Sequence, residues 1–399
     1  MDNLSLNAQA IVLLSAYFNK GDKPLTVMEY AKFAIWLKEQ GREPGDLLKE
    51  QATEILKGWE DKKITLERIE KLLARGNAMA IALQKWQNAG IWVLTRADAE
   101  YPKRLKKRLG HKAPPLLYGA GDKKILKTRG VAVVGSRNVG NQDLAFSYEL
   151  GKKLALCGYS VVSGGARGVD EASMMGSIEA QGTTIGVLAD GLLKKVLSKK
   201  YRQAIMQGNL VLITPFYPEG RFSVGNAMGR NKYIYTLADA AIVVHSGKKG
   251  GTWEGAKENL RHKWVPLFVK ESDDVETGNN ELINMGGMPL SRTILKDESI
   301  EYLFEVSQKE KKLNEENKKI DLLKQEKNEA IGLSLDEMIL ELLSKERLPI
   351  KKIAEKIDEE EKSIKKCIDK LVKSGEIQKH RNRPLQFSRI LKLPGMDNI

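Results

Sequence analysis

The stretch GVAVVGSRNVGNQDLAFSYELGKKLALCGYSVVSGGARGVDEA, residues 130–172, decides the architecture. It opens on VAVV (131–134), an apolar run with no polar alternation, and closes that run with Gly135-Ser136-Arg137-Asn138. A segment with helical spacing of its apolar residues follows from Leu144 to Leu156. YSVVS (159–163) then repeats the run, and Gly164, Gly165 and Gly168 repeat the turn. A strand that is apolar at every position must bury both faces, which requires a sheet covered by helices on both sides. TTIGVL (183–188), LVLI (210–213), AAIVV (240–244) and VPLFV (265–269) obey the same rule and alternate with segments able to form helices. The pattern predicts an open, doubly wound parallel α/β sheet over roughly 123–300.

Outward from the sheet the pattern changes on both sides. Residues 1–90 predict a small helical module, with apolar residues at three and four residue spacing through Met28, Ala31, Ile35 and Trp36, and again through Ile69, Leu72, Ile81, Leu83 and Trp86. Residues 91–122 predict an adaptor: a strand IWVLT, a basic helix ending near Gly110, and an extended run past Pro114-Pro115, which cannot continue a helix. The sheet and its adaptor make one domain, 91–304. Residues 305–330 predict an exposed linker rich in Lys and Glu. Residues 331–399 predict three helices and two short strands, a winged helix-turn-helix pattern, with Ile364, Cys367, Ile368 and Leu371 at core spacing in the third helix.

Composition narrows the function. Of the 399 residues, 66 are Lys or Arg and 52 are Asp or Glu, a net charge of +14 that permits a polyanionic partner. Residues 101–130 hold ten basic residues against the single acid Asp122, and residues 361–399 hold ten against four, so two separate phosphate contacts are expected. Cys157 and Cys367 are too few and too distant for a disulfide framework, and the four histidines form no ligand motif. No metal and no cofactor are expected. The N-terminal segment lacks a basic leader and a cleavage site, and no apolar stretch is long enough to span a membrane, so a reducing cytoplasm is the expected compartment.

Ligands of an open α/β sheet collect at the carboxyl ends of its strands. The first turn there offers Gly135, Ser136 and Arg137; its five-residue spacing to Gly140 is not a dinucleotide fingerprint. The second offers Gly164, Gly165 and Arg167, as a phosphate cradle or as a structural turn, with Asp170 at the start of the next helix as a cap. Arg230, Asn231 and Lys232 are expected ahead of a strand, followed by Lys248, Lys249, Gly250, Gly251 and Thr252 at the head of a helix. His245 reads as structural, and no catalytic set is evident.

At VVGSRNVG, VVSGGARGVD, TTIGVLADG, RNKYIYTLADAAIVV and the glycine loop 250–256, with ADAEYPKRLKKRLGHKAPPLLYGAG ahead of them, the chain resembles the bacterial DNA-processing (DprA/Smf) family. The resemblance spans about residues 90–300. It implies an extended Rossmann-like domain that binds single-stranded DNA, forms a homodimer, loads the RecA recombinase and is not known as an enzyme. It assigns Arg137 as a DNA contact and matches Arg230-Asn231 to the family pattern. Ser173 stands where that pattern has histidine, and Ala227-Met228-Gly229 where it carries Phe-Pro, which marks a divergent member.

Two alternatives stay open. The loop GGTWEG is similar to that of the Lonely Guy nucleotide phosphoribohydrolases, although the acid Glu254 comes one residue early; the rival functions are therefore that hydrolysis or nucleotide sensing. In the C-terminal module, Lys365, Lys366, Lys370, Arg381 and Arg383 predict contact with duplex or junction DNA. Glu359, Glu360 and Glu361 at the head of the same helix favour a protein contact instead.

Overall fold

Alternate residues of the first core strand serve two different cores, and this explains its unbroken apolar run. A computed structural model of the chain describes residues 4–305 and 334–390, apart from 20, 22, 50, 51, 275, 298, 358, 382 and 383. They divide into two compact units at residue 308. Beyond Glu305, the charged linker expected at 305–330 lies outside the described residues.

The first unit holds a nine-stranded sheet: β1 (Trp92–Thr95), β2 (Leu116–Ala120), β3 (Gly130–Gly135), β4 (Ser160–Ser163), β5 (Thr184–Val187), β6 (Leu210–Thr214), β7 (Ala240–His245), β8 (Leu267–Lys270) and β9 (Met288–Leu290). Their order is β1-β2-β6-β5-β4-β3-β7-β8-β9. From β6 to β9 every neighbour is parallel, as the apolar runs predict. The adaptor adds what they do not predict: β2 joins β6 antiparallel and β1 joins β2 antiparallel, extending one edge of the sheet.

Helices α1 (Leu6–Ser15), α2 (Val27–Glu39), α3 (Ala52–Ile55), α4 (Leu66–Leu73) and α5 (Gly76–Asn88) precede the sheet, and α6 (Lys103–Leu109) links β1 to β2. Helices α7 (Asn141–Leu156), α8 (Val169–Glu179), α9 (Leu192–Val196), α10 (Lys199–Met206), α11 (Val224–Leu237), α12 (Gly251–His262) and α13 (Asn279–Asn284) connect the later strands. Val131, Val133 and Val161 pack with Leu150 and Leu154 of α7 and Met174 of α8. Ala132, Val134 and Val162 face the other way, onto Tyr233 and Ile234 of α11 and Trp253 and Ala256 of α12. Each fully buried Val or Leu contributes about 1.5–3 kcal/mol, so a strand with two buried faces is held twice over.

Helices α7 and α8 touch through glycines. A Cβ on Gly176 would stand 2.0 Å from the Tyr148 carbonyl oxygen, and one on Gly151 would stand 2.0 Å from that of Ser173. Backbone cannot yield as a side-chain tip does, so Gly176→Ala should cost about 1–3 kcal/mol of stability. Urea unfolding of the variant checks this; an unchanged midpoint would remove the close contact from the account.

The N-terminal helices have a core of their own around Ile11, Leu14, Phe33, Leu37 and Ile69, yet Val12, Leu13 and Trp86 enter the sheet's core. The Trp86 ring stands edge-on to Tyr118 of β2, centroids 5.0 Å apart. Three expected core positions face outward: Met28 is 57% exposed, Ile35 37% and Ile81 72%. Helix α2 instead buries Tyr30, Ala31, Phe33 and Leu37, a stripe displaced around the helix from the one the spacing selects.

The second unit contains α14 (Leu335–Lys345), α15 (Ile350–Ile357) and α16 (Glu361–Lys373), then a hairpin of β10 (Ile377–His380) and β11 (Gln386–Arg389). Ile339, Leu343, Ile353, Ile364, Ile368 and Phe387 form its core. Cys367 is packed against that core, and burial pushes its thiol up from the ordinary value. No helix among the described residues is long and apolar enough to cross a membrane.

Candidate nucleic-acid interface

After β3 the chain moves to one side of the sheet through β4, β5 and β6, and it returns to the other side with β7, so the order reverses between β3 and β7. Neighbouring connections there leave the sheet on opposite faces and open a crevice at the strand ends. The register slips between Val134 and Gly135, which sets Gly135 opposite His245, and the Ser136 amide donates to the His245 carbonyl at 2.9 Å. A cavity of about 590 Å³ lies at this point.

Its walls come from separate loops. Gly135 ends β3 and Ser136, Arg137 and Asn138 follow it, Ala166 comes from the β4–α8 connection and Asp170 from the first turn of α8, and Phe222 precedes α11. Met228, Arg230, Asn231 and Tyr235 project from α11, and His245, Gly247, Lys249, Gly250, Gly251 and Thr252 lead from β7 into α12. Two glycines make this closeness possible. Gly168, at φ +95°, lets the β4–α8 turn press on the β3–α7 turn, where a Cβ would stand 2.5 Å from the Ser136 carbonyl oxygen. Gly250, at φ +99°, turns the chain so that α12 begins beside the cavity. The first-turn amides of a helix have no partner within it and carry its positive end, which suits an anion.

A buried ion pair closes the floor. Asp170 and Arg230 are each 5% exposed, with Nη1 of Arg230 4.0 Å from the Asp170 carboxylate and donating to the Val187 carbonyl at 2.8 Å. The Asp170 carboxylate also accepts from the amides of Gly135, Gly164 and Ala166. Burial is the largest influence on Asp170 and pushes its carboxyl up, against the pull of Arg230 and those amides. Sequence reasoning reads Asp170 as a helix cap and Arg230 as a phosphate contact; the two side chains instead join the loops after β3 and β4 to α11.

The other candidates divide. Arg137 is exposed and carries its guanidinium 5.0 Å from the centroid of the Phe222 ring. Lys249 is exposed at the rim. Asn231 ties α11 to α12 by donating to the Gly251 carbonyl at 2.8 Å. Arg230, Asn231 and Lys232 lie within α11, the helix ahead of β7, and the helical turn sends Lys232 off the cavity, over the Tyr233 ring. Burial lowers the Lys232 ammonium pKa. Arg167 binds Asn138 at 3.1 Å outside the cavity, Gly164 packs under the Arg230 guanidinium, and Lys248 is paired with Glu281 at 3.0 Å. Glu254 points to Lys257 and does not line the cavity. Phe222 was not legible, because a single aromatic in a Gly-Arg-Phe-Ser loop carries no periodic signal.

The basic regions are also divided by the fold. Arg104 and Arg108 of α6 turn inward, donating to the Leu237, Thr236 and Ala238 carbonyls at the end of α11 and flanking Asp239. They neutralise a helix C-terminus. In the second unit Lys365, Lys366 and Arg381 are exposed, Lys370 pairs with Asp336 at 2.5 Å, and Arg383 lies outside the described residues.

The sequence pattern of the family described as DNA recombination-mediator protein A matches residues 92–298. The chain belongs to this family. The DNA processing protein DprA of Bacillus subtilis is 30% identical over 209 residues, which cover 51% of this chain and 69% of that protein. Protein Smf of Synechocystis is 29% identical over 267 residues, 62% of this chain and 66% of that protein. Among solved structures, DNA processing protein A from Streptococcus pneumoniae superposes with a TM-score of 0.58 at 19% identity, covering 75% of this chain and 99% of that one, a likeness of fold. The family match begins at β1 and ends after β9, so it includes the antiparallel edge as well as the switch point.

Proposed function

We propose that this member of the recombination-mediator family binds single-stranded DNA at the switch-point cavity and protects incoming strands. We also infer that it delivers them to a RecA-type recombinase and works as a homodimer in the cytoplasm. The observation that carries the binding reading is the pairing of an exposed, uncommitted guanidinium with an aromatic face at the mouth of a cavity that also holds Lys249 and the first amides of α12. A single strand offers phosphates for the cations and amides, and unstacked bases for Phe222 and the Arg137 plane, whatever its sequence.

This mode of binding releases condensed cations, so affinity should fall steeply as salt rises from about 50 to about 300 mM. Anisotropy titrations of a labelled oligonucleotide measure it; equal affinity at both ends would sink the reading. Nucleotide hydrolysis has less support, because its one acid, Glu254, stands outside the cavity.

For the second unit we propose a winged helix that meets duplex beside the single strand, with Lys365 and Lys366 of α16 at the phosphates. Lys365→Glu with Lys366→Glu should remove any preference for a single-strand/duplex junction while single-strand affinity stays within about twofold. Unchanged junction preference would redirect this unit to a protein partner.

A further inference from the structure

Three ionisable side chains from three elements meet where β7 ends. Asp143, in the first turn of α7, accepts from Lys270 of β8 at 2.9 Å on one carboxylate oxygen, and its other oxygen lies 3.3 Å from Nδ1 of His245. The Lys270 side chain is 5% exposed, Asp143 17% and His245 26%. A lysine so deeply placed needs an anion, and Asp143 supplies it, which leaves that pair neutral. Nδ1 of His245 faces that carboxylate, which leaves Nε2 as the ring nitrogen available to a ligand. The imidazole lines the cavity that Arg137 and Lys249 also line.

We propose that His245 is a proton-linked phosphate ligand: once protonated, its Nε2 donates to a phosphodiester oxygen of the bound strand, and the site takes up a proton as it loads. This rests on the single-stranded DNA reading above and adds to it a dependence on pH.

The neighbours on every side set the sign. Asp143 from α7 favours the protonated ring, an effect that Lys270 from β8 opposes by pairing with the same carboxylate. Arg137 from the β3–α7 turn and Lys249 from the β7–α12 loop share the cavity and disfavour it. Asp170 of α8 and Arg230 of α11 are paired on the floor, and from α13 Glu281 is engaged by Lys248 while Asn279 binds the backbone of Val244 and Ser246. A phosphate entering among these groups offsets the two cations and raises the proton affinity of the ring. By linkage, DNA affinity must rise as pH falls. The gain is present at low pH and is lost as pH rises. A difference of about one unit between free and loaded sites corresponds to roughly tenfold in affinity.

The test is an anisotropy titration of the full chain with labelled oligothymidine at fixed ionic strength, from about pH 5.5 to about pH 8.5, with parent and His245→Gln. Glutamine keeps a polar side chain and cannot titrate. The parent should gain about tenfold more affinity than the variant over that range. Parallel profiles with binding intact would overturn the His245 assignment alone, and no binding by the parent at any pH would overturn the DNA reading itself. A second measurement needs no variant. Calorimetry of the parent near neutral pH in buffers of different ionisation enthalpy should show uptake of a fraction of a proton on oligothymidine binding, falling away near pH 5.5; no uptake near neutral pH would overturn the proposal.

Discussion

Asp170→Asn should cost the first unit about 3–5 kcal/mol of stability, the range for removing one partner of a buried ion pair. The expectation follows from what the substitution leaves behind. Arg230 is 5% exposed, and its Nε has no hydrogen-bond partner, so the guanidinium is already under-satisfied with its counter-charge in place. Asparagine removes that charge and sets an amide donor against the amides of Gly135, Gly164 and Ala166, which need an acceptor. The guanidinium cannot shed its proton to escape, since arginine stays charged in proteins. Nor can the neighbouring turn relax cheaply, because a Cβ on Gly164 would stand 1.5 Å from Nη1 of Arg230. Replacing both partners, Asp170→Leu with Arg230→Met, should recover part of the loss, since no uncompensated charge remains. Urea unfolding followed by circular dichroism measures all three proteins. An Asp170→Asn variant as stable as the parent would show that the pair does not hold these loops together.

The strands and their parallel direction were legible because burial on both faces leaves an unmistakable run, and β3 to β8 coincide with the six runs. The glycine turns were legible for a related reason: only glycine permits the approach at Gly168. Charge was not legible in the same way, because a sequence gives the sign of a side chain and not its direction. Arg104 and Arg108 count toward a basic region yet neutralise the end of α11, and Arg230 counts as a phosphate contact yet lies under the cavity with Asp170. Lys232 follows Arg230 by two residues, about half a helical turn, and so faces away from it. Phe222 and the Asp143–His245–Lys270 group depend on loops and strand ends distant in sequence, which no periodicity records.

Arg137→Ala should weaken single-stranded DNA binding by roughly ten to a hundredfold, or about 1–3 kcal/mol, while leaving stability within about 0.5 kcal/mol. Exposure of the side chain is what separates the two effects. Arg137 makes no salt bridge among the described residues, its guanidinium lies by the Phe222 ring, itself 48% exposed, and its charge opposes that of the buried Arg230, so little folding energy depends on it. A bound strand would change that, because the guanidinium can fork onto a phosphate while its plane and the ring offer a face to a base. Three comparisons distinguish these contributions. Arg137→Lys keeps the charge but loses the fork and the plane, so it should fall between parent and alanine. Phe222→Ala should lose the stacking share, about 1–3 kcal/mol for one base, with no loss of salt dependence. Arg137→Ala should lower the slope of log affinity against log salt by about one, the mark of a single phosphate contact removed. Because the two side chains touch, their double variant should lose less than the sum of the single losses. Anisotropy titrations at one salt concentration, repeated across a salt series, measure every term. If Arg137→Ala bound within about twofold of the parent at each salt concentration, the principal DNA contact would lie away from the switch point, and Lys365 and Lys366 of α16 would be the next residues to change.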